Sequence, residues 1–546
     1  MWRSLKIHVR DLTRCKLKTF IILPLIFALA ILIIWLHGEG VDTAMPYERQ
    51  SKRYLPEASV KYENQHRLVH LDLKGAPPKI SYYEQLFPLL REFGATGLLV
   101  EWEDVFPYWG DLQLLAAPHA YSNVEVAKML QLAEDNKLEV IPLVQTFGHF
   151  EFVLKHDKFR PLREVESYPN ALCPSRTESL NVVKAMISQL LQLHPNSKFV
   201  HIGADEVWHL GKCSKCQERM QSESKTKEHL FLDHVKSVAN YTLGKHPSVK
   251  VIMWDDMFRS MDIDLIRESR LESLVEPMIW HYLPEFRISL DLLDKYSSIF
   301  PSIWAASSFK GATGPRQVIT SINHHLYNHR SWIKFLIGGK RLSKFKTFRG
   351  YAITGWQRYD HYATLCELLP EAIPSLFVCL QTLKNGEFTD QMHSSISRKL
   401  GFSEPVELEV YPRPKPVPKA LSFPGQEIYR GCMMLANYKV NLQRLLEHDI
   451  YQGWFGEWQM GHNFTNPLWV EELLSGHINS LRGNFISLRD QMQVALVQVY
   501  DESTVEEWLE THLLPDFRKV EKMAETALMQ RQIGARVKDY RFGKNK

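Results

Sequence analysis

Short apolar runs alternate with amphipathic stretches along most of this 546-residue chain. From residue 67 onward, Leu68–Leu73, Gly97–Glu101, Leu138–Val144, Phe199–Gly203, Val249–Trp254, Pro277–Trp280, Ile299–Trp304 and Gly350–Trp356 read as buried strands. Between them, Glu84–Phe93, Asn123–Asn136, Glu178–Leu193 and Lys225–Thr242 repeat apolar residues at i, i+3, i+4, one face of a helix. Eight such runs in about 300 residues predict a (β/α)8 TIM barrel, an α/β fold. A doubly wound sheet is the rival, but no Gly-rich phosphate loop follows the first run. The barrel is expected to close near Leu400.

The two ends of the chain read differently. Phe20 to Leu36 carries no charge and is interrupted only by Pro24. As a helix it spans about 26 Å, enough for a thin early-secretory bilayer. A cleaved signal peptide is the alternative, yet only the weak Val41-Asp-Thr-Ala44 offers a cleavage site. The positive-inside rule then predicts a single-pass type II membrane protein of the ER or Golgi, with its bulk lumenal. The segments are a cytoplasmic tail (1–19), a transmembrane anchor (20–36), a stem (37–66), the barrel (67–400), a Pro-rich linker (401–424) and a C-terminal helical region (425–546). The linker holds Tyr411-Pro-Arg-Pro-Lys-Pro-Val-Pro418. Beyond it Gln426–Gln452, Asn466–Val499 and Ser503–Lys538 read as amphipathic helices. The aromatic cluster Tyr451-Gln-Gly-Trp-Phe-Gly-Glu-Trp458 is expected to pack against the barrel, with glycan contact as the alternative.

Charge adds little. The net +4 is concentrated in Arg3, Lys6, Arg10, Arg14, Lys16 and Lys18, so no nucleic-acid footprint remains in the rest. Two sequons, Asn240-Tyr-Thr242 and Asn463-Phe-Thr465, fit glycosylation of a lumenal domain. Cys213-Ser-Lys-Cys216 lacks a second pair to complete a zinc site, so a small loop disulfide is expected in an oxidising lumen, with free thiols as the alternative.

The chemistry is concentrated where the strands end. Phe199-Val-His-Ile-Gly-Ala-Asp-Glu-Val-Trp-His209 closes a strand with two adjacent carboxylates, Asp205 and Glu206. Residues just past a barrel strand point into the active-site mouth, and two acids so close in a dry pocket divide into a proton donor and a lasting anion. An acidic helix start would explain a bare Asp-Glu as well. Its companions argue otherwise: Arg67-Leu-Val-His-Leu-Asp-Leu-Lys-Gly75, Glu101-Trp-Glu-Asp-Val-Phe106, Gln145-Thr-Phe-Gly-His-Phe150, Trp254-Asp-Asp256, Trp280-His-Tyr282, Trp304 and Thr354-Gly-Trp-Gln-Arg-Tyr-Asp360. Four tryptophans at four strand ends, among carboxylates, describe an aromatic pocket suited to a sugar.

His201-x-Gly-x-Asp-Glu206 and these strand ends resemble the family 20 glycoside hydrolases, the β-N-acetylhexosaminidases, over roughly residues 67–400. The resemblance implies Glu206 as general acid/base and Asp205 as the carboxylate that orients the substrate acetamide. It implies Tyr282 as a hydrogen-bond donor to the acetamide oxygen, and Trp254, Trp280 and Trp356 as the walls around its methyl group. His149 and Asp104 match a relay behind the acid, although His149 could be structural. Arg67 matches an arginine that holds sugar hydroxyls, with a barrel-bottom salt bridge as the alternative. Asp72, Asp256, Trp304 and Asp360 complete the expected substrate contacts. Two departures stand out: Arg358 and Pro284 occupy positions where the family places carboxylates for O4 and O6, for which Asp360 or Glu367 are the candidate substitutes.

The expectation is therefore an exo-acting, retaining hydrolase of terminal N-acetylglucosamine or N-acetylgalactosamine that uses substrate assistance and neither metal nor cofactor. Its partners are the carbohydrate and a membrane. A glycan-binding protein without turnover and an ordinary two-carboxylate glycosidase are the alternatives.

Overall fold

The computed structural model describes residues 65–336, 341–409 and 421–538. The tail, the anchor, residues 37–64 of the stem and the proline run Tyr411–Pro418 lie outside the described residues. The stem's last residue, His66, already begins the first strand, and among the described residues no helix is long and apolar enough to cross a membrane.

Each apolar run read as a strand overlaps one. The strands are β1 (His66–Asp72), β2 (Gly97–Glu101), β3 (Glu139–Leu143), β4 (Phe199–His201), β5 (Lys250–Trp254), β6 (Val275–Trp280), β7 (Ser302–Lys310) and β8 (Thr347–Gly355). All are parallel, neighbours pair in chain order, and β8 returns to β1 with Leu68 opposite Ala352, closing the barrel. Leu68, Leu99, Ile141, Leu143, Phe199, Ile252, Trp254, Met278, Trp304, Ala306 and Ala352 fill its interior. Alternate residues on the same strands face the helices, whose buried stripes follow the predicted spacing. Thr177–Leu193, for instance, buries Val183, Met186, Ile187, Leu190 and Leu191. Asn123–Asp135 starts at Ser122, whose hydroxyl and Glu125 form a reciprocal capping box.

Most strand boundaries fall within three residues of expectation, and two of the differences matter for function. β4 stops at His201 rather than Gly203, because Gly203 and Ala204 turn into the left-handed region at φ 64° and 68°. The chain leaves the sheet early and delivers the acidic pair on a sharply bent loop. β7 runs to Lys310 instead of ending at Trp304. Its polar second half is tolerated inside the barrel wall because the helix Ile322–Leu336 supplies partners: Ser307 Oγ lies 2.9 Å from His329 Nε2 and Ser308 Oγ 3.0 Å from His325 Nδ1.

That longer strand puts Trp304 near its beginning, at the end of the barrel away from the mouth. The indole is fully buried between His66 and Phe199, and its Nε1 donates to Glu276 at 2.9 Å. Arg67 stands at the same end of the barrel, at the start of β1. It is the second residue of β1, and its Nε donates to the Gly94 carbonyl at 2.8 Å. Neither residue reaches the pocket assigned to it.

The C-terminal helices share one hydrophobic core with the barrel's helical layer. The three expected helices are divided: the first restarts at Asp449 after the cap His448, and single π-turns at Leu474–Ile478 and Leu509–Leu513 interrupt the other two. The second π-turn meets the barrel loops, with Thr511 O accepting from Arg316 and His512 Nε2 lying 3.0 Å from Leu365 O. Tyr451, Trp454 and Trp458 pair with Phe455, Trp469, His462 and Phe464, within the helical region rather than on the barrel.

Trp304→Ala is expected to cost about 3–5 kcal/mol in urea unfolding, the range for truncating a large buried aromatic. The fraction that stays folded should keep its KM. A raised KM with unchanged stability would return Trp304 to the pocket.

Candidate active site

The acidic pair sits in strained backbone. Glu206 has φ 50°, Ala204 φ 68°, and the loops facing them contribute His149 at φ 49° and Glu103 at φ 44°. Such conformations cost on the order of 1–3 kcal/mol each and persist where surrounding contacts impose them. Gly148 shows the crowding directly: a Cβ there would lie 1.9 Å from the Asp205 carbonyl oxygen.

His149 joins the two acids. Its Nε2 lies 3.1 Å from Glu206 Oε2 and 3.6 Å from Asp205 Oδ2. Burial opposes a charge on the imidazole, but Asp205 and the hydrogen bond to Glu206 outweigh it and push its pKa up to about 10. The same hydrogen bond holds Glu206 below the usual glutamate range. Asp205 is pushed the other way, to about 7, first by burial and then by the charges of Asp256, Glu101 and Glu206. The proton of the trio thus rests on His149, one hydrogen bond from Glu206. Asp205 Oδ1 is buried and accepts no hydrogen bond from the protein.

Around this trio stand the aromatic walls. Trp280 stacks on Tyr282 at 5.3 Å between ring centres, Trp356 lies 6.0 Å from Trp254 and 6.3 Å from Tyr282, and Trp254 rests on His201 at 4.4 Å. Burial, with the Asp205 charge, raises the Tyr282 phenol, so it is a neutral donor at any ordinary pH. Asp256 positions rather than lines the pocket: its Oδ2 accepts from the Glu206 backbone N–H at 2.9 Å and its Oδ1 from Trp280 Nε1 at 3.2 Å. The Arg259 guanidinium lies 4.7 Å from the Trp280 ring, paired bidentately with Asp255.

Other expected contacts are engaged elsewhere. Asp104 pairs with Lys155 at 3.1 Å and His361 at 3.5 Å, and no hydrogen bond or ion pair joins it to His149, so the expected relay is not formed. Asp72 accepts from the backbone N–H groups of Lys74 and Gln357, tying the β1 loop to the β8 loop. Asp360 caps its own turn through the N–H groups of Tyr362 and Ala363. Glu367 accepts from Gly311 N and Thr313 Oγ1. Arg358, in place of a family carboxylate, forms a bidentate pair with Glu507 of the C-terminal helices at 2.9 and 2.8 Å.

Sequence reasoning missed the cation at the mouth. Lys74, two residues beyond β1, is buried among Asp72, Glu101 and Glu103 at 3.3–4.0 Å and lies 5.7 Å from the Trp356 ring centre. Those acids outweigh its desolvation and raise its pKa well above the lysine norm. Glu101 in turn lies 2.9 Å from His70 Nε2. The signal was the acid-rich pair of strand ends, which needs an internal cation once buried. Asn240 is exposed on the helix Lys227–Lys245, and Asn463 turns at φ 52° with its Oδ1 accepting from Gln530. Cys213 and Cys216 are not joined to each other in the expected disulfide.

The family model described as glycosyl hydrolase family 20, catalytic domain, matches residues 84–285, which contain β2 to β6, His149, both acids and Tyr282. The chain is 42% identical over 467 residues to hexosaminidase D of Homo sapiens, covering 84% of this chain and 94% of that one. Hexosaminidase D of Bos taurus is 48% identical over 345 residues, 63% of this chain and 99% of that one. The chain belongs to glycoside hydrolase family 20. Among solved structures it is similar to the chitobiase of Flavobacterium johnsoniae, with 12% identity, a TM-score of 0.45, and coverage of 86% of this chain and 73% of that one. The resemblance seen in the His201–Glu206 motif therefore extends, in this family 20 member, through most of the chain.

The shared proton makes a pH prediction. In the wild type the trio loses its proton only as pH rises through the raised pKa of His149, near 10. In His149→Gln the proton must sit on the carboxyl groups themselves, Asp205 or a Glu206 freed from its hydrogen bond to the imidazole, both of which release it well below 10. The basic limb of kcat/KM should therefore move several pH units toward acid. An unmoved basic limb would show that His149 does not hold the catalytic proton.

Proposed function

We propose that this family 20 glycosidase is a retaining exo-β-N-acetylhexosaminidase acting by substrate assistance on terminal N-acetylhexosamine. The observation that carries the reading is the buried, unpartnered Asp205 Oδ1, in electrostatic reach of Tyr282 and Asp256. A buried acceptor without a donor costs about 1–3 kcal/mol, and an acetamide N–H supplies that donor. Tyr282, a neutral phenol, is the complementary donor to the acetamide oxygen. The relatives' name, hexosaminidase D, agrees with this chemistry.

Asp205 and Glu206 both reach the same nitrogen of His149, so they sit side by side. Ordinary retaining enzymes set their two carboxyl groups about 5 Å apart on opposite sides of the anomeric carbon. The side-by-side pair favours attack by the substrate itself. The acetamide oxygen bonds to the anomeric carbon as the bond to the leaving oxygen breaks, and Glu206 gives that oxygen the proton it draws from His149 across their hydrogen bond. Asp205 holds the acetamide N–H and balances the positive charge of the cyclic intermediate. Water then opens the ring from the face the leaving group vacated, with Glu206 taking its proton, and the configuration is retained.

Glu206→Gln should lower the rate on poor leaving groups by roughly 10²–10⁴ and on activated aryl leaving groups far less. Asp205→Asn should slow acetamido substrates by about 10²–10³. A 2-fluoro sugar should label no carboxylate. A covalent glycosyl adduct on any acid would refute substrate assistance. Paired glucosaminide and galactosaminide substrates read the epimer preference, since Asp360 and Glu367 are both engaged by the protein.

We further propose type II topology with a lumenal ER or Golgi barrel, supported by the uncharged Phe20–Leu36 run, its basic flank and the exposed Asn240. Full-length protein should shift on glycosidase treatment, and intact microsomes should shield the barrel from added protease. An unglycosylated, protease-accessible barrel would overturn it.

A further inference from the structure

Between β3 and β4 a two-stranded hairpin, Arg163–Val165 and Tyr168–Leu172, packs on the loop that carries His149. Leu172 N donates to Phe147 O and Phe150 N to Asn170 O, both at 3.1 Å. Cys173 follows the second strand and Glu164 lies in the first. Both face Cys213 and Cys216, at the start of the helix Ser214–Ser222. One ligand atom from each of the four lies within 4.8 Å of the other three. Cys173 Sγ is 3.2 Å from Cys213 Sγ and 3.7 Å from Cys216 Sγ, and Cys216 Sγ is 3.2 Å from Glu164 Oε2. Cys173, Cys216 and Glu164 are buried.

We propose that Cys173, Cys213, Cys216 and Glu164 hold one structural zinc ion. Zn–S bonds of about 2.3 Å and Zn–O bonds of about 2.0 Å at tetrahedral angles place sulfurs about 3.8 Å apart and sulfur about 3.5 Å from oxygen. The Cys173–Cys216 spacing of 3.7 Å is that of such a shell, and the Cys173–Cys213 and Cys216–Glu164 spacings, both 3.2 Å, reach it with shifts of about 0.6 and 0.3 Å. The donors around it are already oriented: Cys216 N–H points to Cys213 Sγ at 3.3 Å, and Ser175 Oγ lies 3.1 Å from Cys216 Sγ. Cys213 N–H donates to Glu164 Oε1 at 3.0 Å, which leaves Oε2 for the metal. Thiolate-rich tetrahedral sets select zinc over magnesium or calcium, and four protein ligands close the shell, so the ion is structural. Arg160, Arg163, Arg176 and Lys212 outnumber Asp157 and Glu166 on the adjoining surface depression, which leaves it basic beside the cluster. The ion would clamp the hairpin under the His149 loop to the segment that leaves Glu206, seven residues before Cys213.

Full-length protein purified without chelator or added metal should contain one zinc per chain by mass spectrometry. An organomercurial should release it into a colorimetric chelator as the cluster's thiols titrate. Cys173→Ser and Cys216→Ser should lose the zinc, whereas Cys379→Ser, buried outside the cluster, should retain it. If the cluster variants do not fold, cobalt exchanged into wild-type protein gives the same answer, through a thiolate charge-transfer band and strong tetrahedral visible bands. Wild-type protein without stoichiometric zinc, with free thiols or a Cys173–Cys213 disulfide, would overturn the site. That result would leave the glycosidase reading untouched.

Discussion

Parallel pairing around a closed ring governs everything else in this protein. Once Leu68 stands opposite Ala352, every strand must run the same way, and the C-terminal ends of all eight open on one face. Asp72, Glu101, His201, Trp254 and Trp280 are brought together by that register, although more than 200 residues separate the first from the last. No local propensity could assemble them. The interior that enforces the register is a packed cluster in which Phe199 and Trp304 fill the lower end and Trp254, Trp280 and Trp356 line the upper.

Burying so many ionisable groups at one mouth requires internal neutralisation. Lys74 stands among three acids, His149 between two, and Arg259 beside Asp255. Leaving any of these acids uncompensated would be strongly destabilising, because the desolvated charge has no other partner. Asp205 keeps one oxygen without a donor, and the left-handed residues Ala204 and Glu206 hold that acid in place. Backbone strain, an unsatisfied acceptor and displaced pKa values coincide in one loop, the combination expected of a functional site.

The C-terminal helices belong to the same construction. Glu507 reaches from them to Arg358 on the β8 loop, and Lys79 N–H, at the start of the first barrel helix, donates to Val499 O. Arg358 also donates to the Lys74 carbonyl, so the helices brace the loop that sets the mouth's cation. What looked along the chain like an appendage after a proline-rich linker is a buttress for the pocket.

Much of this was legible in the chain itself. Period-two and helical spacing reported the barrel, because burial against a sheet or a helix repeats locally and leaves its mark on neighbouring residues. The acidic pair, Tyr282 and three of the four tryptophans were legible because a barrel places its chemistry immediately after each strand. What tertiary structure decided was the rest. Trp304 moved to the far end because the length of its strand depends on partners in a neighbouring helix, His325 and His329, that no local pattern announces, and Arg67 stands there at the start of the first strand, held by the Gly94 carbonyl. Asp104 exchanged His149 for Lys155 and His361, and Asp72 became a loop tie, because a buried carboxylate takes the donors that packing brings to it. Cys213 and Cys216 looked like an isolated pair until the hairpin brought Cys173 and Glu164 from some 40 to 50 residues away. Local sequence determines which elements form, since their signals repeat within a few residues. Only the fold determines which side chains meet, since that depends on contacts between segments far apart in the chain.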